Sequence, residues 1–579
     1  MTQRELKKRI DIAAGRLPAD LVIQNCRIVN VFTGEIEKGD IALCDGMIAG
    51  IGNYHGFQEE NAGGAYAIPG LIEGHIHIES SFVTPEEISR LLVPHGTTTI
   101  IADPHEIVNV CGRKGMEYML NAARQSLLDI RYMIPSCVPS TPYEHSGAAI
   151  HAADMEQMLE NRRILGIGEY MNVPGVINAF PEDIDKLLLA QQHSLLVDGH
   201  SPNLSGKELN AYISAGIHTD HECSTVEEMR DRIRRGMYVL LRQGSACHNL
   251  YTLLKGIDEH TSRYCLLCSD DRQPKTIFEK GHLEEHLRIC VKEGLSPVTA
   301  IQMATINAAQ CYRLYDRGAL APGLRGDIVL VNNLEDFCVQ KVWIKGIPAA
   351  EHGQYLPTVH RIDTAPVTGS IHVADFSQEK LKLRLTSDRV RVIQLQEGEV
   401  ITKSSVKKIT LSSEGDFRFS PEQDIAKIAV VERHHNTGNV AVALIGGYGI
   451  RTGAVALSIA HDSHNIIAVG ISNQEIACAV EALIAQNGGI VLINNGIILE
   501  SMPLPIGGIM SDQSGEWVEQ KLSSLHKTAF DILGVNRRID PLMTLCFMSL
   551  PVIPELKITD MGLFDVNQFA FVPLEAEKS

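Results

Sequence analysis

The feature that most constrains the fold is a succession of eight short runs rich in β-branched and aliphatic residues between Ala67 and Asp270, separated by segments with helix-like patterning. Such alternation marks repeated βα units and a parallel sheet. The runs are AIPGLIEGHIHI ending near Ile78, TTTIIAD at Asp103, IRYMIPSCV at Val138, ILGIGE at Glu169, SLLVDGH at His200, IHTDHE at Glu222, YVLLRQGS at Ser245 and YCLLCSD at Asp270. Eight is the number that closes a (β/α)8 barrel of the TIM type, so the expected fold class is α/β.

Six of the eight runs finish on or near His, Asp or Glu, at the carboxyl ends where barrel enzymes place their chemistry. Unpaired ionisable groups at buried strand ends are costly, and a bound metal is the economical partner.

Two β-rich stretches flank the barrel: one from Ala19 to Ile51 with Gly/Asn/Asp turns, the other from Gly318 to Gly346. They predict one composite β-sheet domain from residues 1–67 and 319–370, around a barrel at 68–318. From about Phe376 the runs AKIAVVERH, NVAVALIGG, AVALSIAHD and IIAVGIS, with the helical NQEIACAVEALIAQNG, predict a C-terminal α+β domain at 376–579.

Lys+Arg 52 against Asp+Glu 70 gives a net charge of -18, and no sustained basic run offers a nucleic-acid surface. The N-terminal residues lack the apolar core of a signal peptide, and no later stretch is long and apolar enough to span a bilayer, so a cytoplasmic location without membrane contact is expected. The thirteen cysteines are scattered and read as reduced thiols. Cys265 and Cys268, three apart on a presumed strand, point to opposite faces and cannot easily pinch one metal.

His75 and His77 form an HxH pair, and residues two apart on a strand share a face, so both imidazoles would enter the barrel together. Glu169 closes a run with almost no other polar side chain; it is either a local cap or ion pair, or a carboxylate giving one oxygen to each of two cations. His200 and His221 each follow an apolar run, and it is their joint occurrence after consecutive strands that points to metal. Asp270 would supply the last carboxylate, able to bind metal and accept a proton, with Asp271 its rival because strand alternation turns only one of them inward.

PGLIEGHIHIES, the acid after the fourth run, the two separate histidines and the final SD resemble the metal-dependent amidohydrolase superfamily. Within it, IIADPHEIVNVCG, GIGEYMNVPGV, DGHSPNLSGKELNAYISAGIHTDHE, CSDDRQP and the C-terminal AHDSHN are similar to the bacterial adenine deaminases, over nearly the whole chain. The resemblance implies that His75, His77, Glu169, His200, His221 and Asp270 hold two divalent cations, manganese ahead of iron or zinc. Glu169 stands where many superfamily members carry a carboxylated lysine.

The implied reaction is hydrolytic deamination of adenine to hypoxanthine and ammonia by a metal-activated hydroxide, in purine salvage. Asp270, Glu169, His105 and Glu106 form the expected catalytic set, with Asp270 taking up the proton. Asp103, His105 and Glu106 would lie near the mouth, behind the ligands or facing substrate, unless His105 is only a turn histidine after Pro104. Arg272, Asp271, Asp103 and Ser201 are the expected substrate contacts, although Arg272 could equally pair with Asp271. His461, Asp462 and His464 read as a second metal site, a polar turn, or an interface at the active-site mouth. Homo-oligomerisation is expected from the resemblance.

Two other functions compete: a dinuclear hydrolase acting on a cyclic amide or N-acyl group, since the metals do not choose the electrophile, and a non-catalytic relative using the barrel as a scaffold. The scaffold would show a lost ligand, and all six positions hold competent donors.

Overall fold

Eight strands stand where the eight runs predict them: β1 (Leu71–Ile76), β2 (Thr97–Ala102), β3 (Asp129–Ile134), β4 (Ile164–Tyr170), β5 (Leu196–Gly199), β6 (Thr219–Asp220), β7 (Tyr238–Arg242) and β8 (Cys265–Cys268). They are seen in a computed structural model that describes residues 2–576 of the 579-residue chain. All but β4 stop short of the last residue of their run, and in most of them the residues left beyond the ladder are polar and lie toward the barrel mouth.

β5-β4-β3-β2-β1 form one parallel sheet and β6-β7-β8 another. Backbone hydrogen bonds close the ring at both seams. His77 N–H donates to Asp270 O at 2.8 Å and Asp270 N–H to His75 O at 2.9 Å. At the other seam His218 N–H donates to Val197 O at 3.1 Å, and Gly199 N–H to Thr219 Oγ1 at 3.1 Å.

Ile72, Ile101, Met133, Leu196, Leu240 and Leu266 fill the barrel as one layer below the mouth. Simple alternation along β1 would group Ile72 with Ile76 and turn His75 and His77 outward. A bulge prevents this: from Glu73 to Ile76 three residue steps on β1 face two steps, Ile100 to Ala102, on β2. The extra residue changes which face the chain presents, as bulges beside active sites commonly do.

The two flanking β segments meet in one nine-stranded sheet, where Ile68 pairs with Val329 across antiparallel strands. Leu21, Ile28, Ile41, Ala67, Ile328 and Trp343 form its core.

The C-terminal domain is built on an eight-stranded, largely antiparallel sheet. Its strand Ile425–Val431 shows the two-residue period plainly. Ala429 and Val431 pack under the helix Asn473–Ala485, whereas Ile428 and Val430 join the core continuous with the barrel. Ser472 caps that helix, accepting from Glu475 N–H at 3.2 Å.

Two C-terminal segments roof the mouth: the loop 460–465, after the strand Ala454–Leu457, and the stretch 543–554. Arg433, fully buried and without a carboxylate partner among the described residues, donates to the carbonyl oxygens of His464, Ser370, Ser458 and Gly507 and so fastens the loop. Arg90 Nη1 donates to Glu516 Oε1 at 2.7 Å, and His145 Nδ1 lies 2.6 Å from Asp560 Oδ2, tying the C-terminal domain to the barrel.

Cys265 and Cys268 are both buried within β8 and belong to different apolar clusters, as opposite faces require. Among the described residues no helix is long and apolar enough to cross a membrane.

Candidate metal centre and active site

The bulged end of β1 delivers His75 and His77 to the mouth. His77 Nδ1 donates to Asp103 O at 2.8 Å, which fixes the proton on Nδ1 and leaves the Nε2 lone pair free. His77 Nε2 is 3.0 Å from Asp270 Oδ1 and 3.3 Å from Glu169 Oε1. His75 Nε2 is 3.5 Å from Asp270 Oδ1, fully buried and without a hydrogen-bond partner among the described residues, and its ring stacks on His221 at 4.3 Å.

Glu169 is the hub. Its Oε1 also lies 3.2 Å from His105 Nδ1, while Oε2 lies 2.8 Å from His200 Nδ1 and 3.2 Å from His221 Nε2. Burial would raise this carboxyl, but the histidines around it hold it well below the usual range. Its backbone N–H donates to Asp103 Oδ2 at 2.9 Å, an approach that Gly168 makes possible, since a Cβ there would stand 1.9 Å from the same oxygen.

Asp270 and Asp271 both line the cleft, so strand alternation did not separate them. β8 has already ended at Cys268, and Asp270 sits in the left-handed region at φ 64°, which Asp tolerates better than most residues. The Asp270 backbone bonds to β1 and so places Oδ1 against His75 and His77, while Oδ2 receives Arg242 Nη1 at 2.5 Å. Burial works against its charge; Arg242 and the two histidines outweigh it and hold the carboxyl well below the usual range. Asp271 instead accepts Ala246 N–H at 2.9 Å, and burial next to Asp270 pushes it up to about 7.

The structure does not bring three of the expected substrate contacts into the cleft. Arg272 donates to Gln243 O at 2.8 Å, Gly281 O at 2.7 Å and Glu285, and does not pair with Asp271. Ser201 Oγ donates to Asp220 Oδ2 at 2.5 Å, beneath the fully buried Arg232. Asp103 is turned toward the Glu169 backbone. Each group found a stronger buried partner than the open cleft offers.

His105 follows Pro104 but is no simple turn histidine, being packed between Glu169 and the roof, with Nε2 3.4 Å from Glu106 Oε1 and 3.8 Å from Asp462 Oδ1. Glu106 is clasped from the C-terminal domain by His461 Nδ1 at 2.5 Å and by His464 Nε2. Ala460 N–H donates to His464 Nδ1 at 3.3 Å, so the ring proton is on Nε2, which donates to Glu106 instead of offering a lone pair to metal. This triad is a hydrogen-bonded clasp at the mouth, which favours the interface reading of AHDSHN over the second metal site.

Sequence reasoning missed Glu222 and Arg242. Arg242 Nη1 bridges Glu222 Oε1 and Asp270 Oδ2, both at 2.5 Å, and Glu222 Oε1 lies 3.5 Å from His221 Nε2. The signals were Glu222 itself, the acid that closes the run IHTDHE, and an arginine ending the otherwise apolar YVLLR, where burial demands a carboxylate partner.

The donor set fits divalent cations: imidazole nitrogens and carboxylate oxygens from several strand ends, in groups whose ligand atoms lie within 4.8 Å of one another, with the orphaned His75 Nε2 among them. The cleft above has a volume of about 290 Å³, is polar at the barrel end, and is closed on the C-terminal side by Phe547, Leu550 and Ile553.

A closed eight-stranded barrel with histidines and acids at its strand ends defines a hydrolase of the amidohydrolase class, and residues 66–348 match the model of the amidohydrolase family. Residues 399–570 match the adenine deaminase C-terminal domain. An adenine deaminase of Desulfotalea psychrophila is 59% identical over 576 residues, covering 100% of each chain, and one of Ligilactobacillus salivarius is 50% identical over 578 residues, again 100% of each. The chain belongs to the adenine deaminase family.

Proposed function

We propose that the chain removes the 6-amino group of adenine by hydrolysis, giving hypoxanthine and ammonia, with two divalent cations held by His75, His77, Glu169, His200, His221 and Asp270. The observation that carries the reading is Glu169, whose two carboxylate oxygens face separate groups of histidines, an arrangement suited to bridging two cations. Manganese is the proposed metal, with iron or zinc suited to the same donors. The family relationship supports an expectation of a cytoplasmic homo-oligomer serving purine salvage.

Cations bound there supply the Lewis acidity that makes hydroxide available near neutral pH. Asp270, kept ionised by Arg242, accepts the proton of the attacking water at Oδ1 and passes it toward the ring or the departing amine. His105 and Glu106 act by position: His105 braces Glu169, and Glu106 anchors the roof that excludes bulk water.

The test is ammonia release from adenine by manganese-loaded protein, alongside adenosine, guanine, cytosine and dihydroorotate, with a count of bound metal. Turnover of adenine that is lost with chelator and in Asp270→Asn supports the reading. Two bound metals with no ammonia from adenine would overturn the substrate assignment in favour of a cyclic-amide hydrolase.

A further inference from the structure

The roof brings two adjacent polar side chains to the cleft that the metal centre does not use. Asp462 is buried, lines the cleft, and its Oδ2 has no hydrogen-bond partner among the described residues. A buried carboxylate oxygen left without a donor is costly, and one facing a substrate cleft has a donor to gain when the ligand enters. His461 is oriented beside it: Nδ1–H donates to Glu106 at 2.5 Å and the ring stacks on Phe547, with centroids 4.8 Å apart and planes at 25°. That leaves Nε2 as the ring nitrogen not engaged by Glu106, on a residue that lines the cleft.

We infer that Asp462 and His461 form the base-reading element of the site, holding the five-membered-ring edge of the purine from the C-terminal domain. This rests on the adenine reading above. An ionised carboxylate only accepts hydrogen bonds, so it must face an N–H of the base. Free adenine offers two kinds, the 6-amino group and the single ring N–H of its imidazole portion. The 6-amino group belongs at the metal centre. Asp462 lies beyond it, because Asp462 Oδ1 is 3.8 Å from His105 Nε2 while the opposite nitrogen of that ring is 3.2 Å from Glu169. The ring N–H is therefore the donor that reaches Asp462, and His461 Nε2 is the second contact on the same edge. Glu106 is a positioning residue in this scheme, and the separation of Asp462 from Glu169 makes it a specificity determinant outside the reacting atoms.

Alkylation at N7 or N9 removes the ring N–H, so it and loss of Asp462 strike the same contact and should not add. The experiment measures kcat and KM for adenine, 7-methyladenine and 9-methyladenine with wild type, Asp462→Ala, Asp462→Asn and His461→Asn, each checked for metal content and thermal midpoint. Expected for adenine is a fall in kcat/KM of about tenfold or more in each variant, carried mainly by KM, with metal content unchanged. Wild type should discriminate against the methylated bases by a similar factor, and Asp462→Ala should narrow that discrimination to within about twofold. Unchanged KM in the variants of an active wild type, full discrimination retained in Asp462→Ala, or losses that follow lost metal or a lowered thermal midpoint would each overturn the inference. Failure of wild type to act on adenine would instead remove the function reading, and this one with it.

Discussion

Arg242, at the end of β7, and Asp270, two residues past the end of β8, meet through Nη1 and Oδ2 at 2.5 Å, and the same guanidinium nitrogen holds Glu222 at 2.5 Å. One buried cation thus serves two carboxylates that face the metal centre. Asp270 needs its charge to take up a proton, and Arg242 is the first of the protein groups that keep it there, ahead of His75 and His77.

Arg242→Met should therefore move the acid limb of the kcat/KM profile to higher pH. Burial raises the Asp270 carboxyl and Arg242 lowers it, so removing the arginine leaves the raising influence less opposed and the acceptor stays protonated further up the scale. At neutral pH kcat/KM should fall about tenfold or more. A pH profile with an unmoved acid limb in a folded, metal-replete variant would show that Arg242 has no hold on the acceptor.

Gly168→Ala should damage the centre without touching any donor atom. The new Cβ would stand 1.9 Å from Asp103 Oδ2, so the Asp103 contact with Glu169 N–H must break and Glu169 must shift. A loss of about 1 to 3 kcal/mol of stability is expected from overpacking, together with weaker metal retention and lower activity. Metal content after dialysis and ammonia release check this; wild-type values for both would mean that the strand end does not depend on that close approach.

Lys557 links stability to pH. It is fully buried on the strand Leu556–Thr559, its ammonium donates to Val400 O at 2.9 Å with no other side-chain hydrogen bond among the described residues, and burial pushes it down from 10.5 to about 7. Below about pH 7 the cost of burying the charge is fully present; between about 7 and 10.5 the unfolded chain binds the proton and the folded protein does not, so stability rises with pH across that window. Lys557→Met should flatten the rise and be the more stable protein at neutral pH. Thermal midpoints from pH 7 upward measure it, and parallel curves for the two proteins would rule the linkage out.

Much of the site was legible because its information is local. Eight aliphatic runs encode eight strands through side-chain period and β propensity, and a run that ends on a charged residue marks the mouth. The glycine of GIGE and the histidines of GHIHIES sit next to the strands that aim them, so their neighbourhood could be read from adjacent letters.

The sequence by itself thus determined the eight-run barrel and the strand-end positions of His75, His77, Glu169, His200, His221 and Asp270. Tertiary structure decided the rest. The bulge in β1 turned both histidines inward, where plain alternation from Ile72 would not. The bridge between Ile76 and Asp270 set Asp270 against the histidines while Asp271 went to the Ala246 amide. Arg272, expected to contact substrate or pair with Asp271, and Ser201, expected to contact substrate, were claimed by buried partners instead. The clasp of His461 on Glu106 joins residues 355 positions apart. The physical reason is the same in each case: local sequence sets backbone period and side-chain direction, whereas the partner of a buried charge is set by which groups packing excludes from water together, and no local pattern encodes that choice.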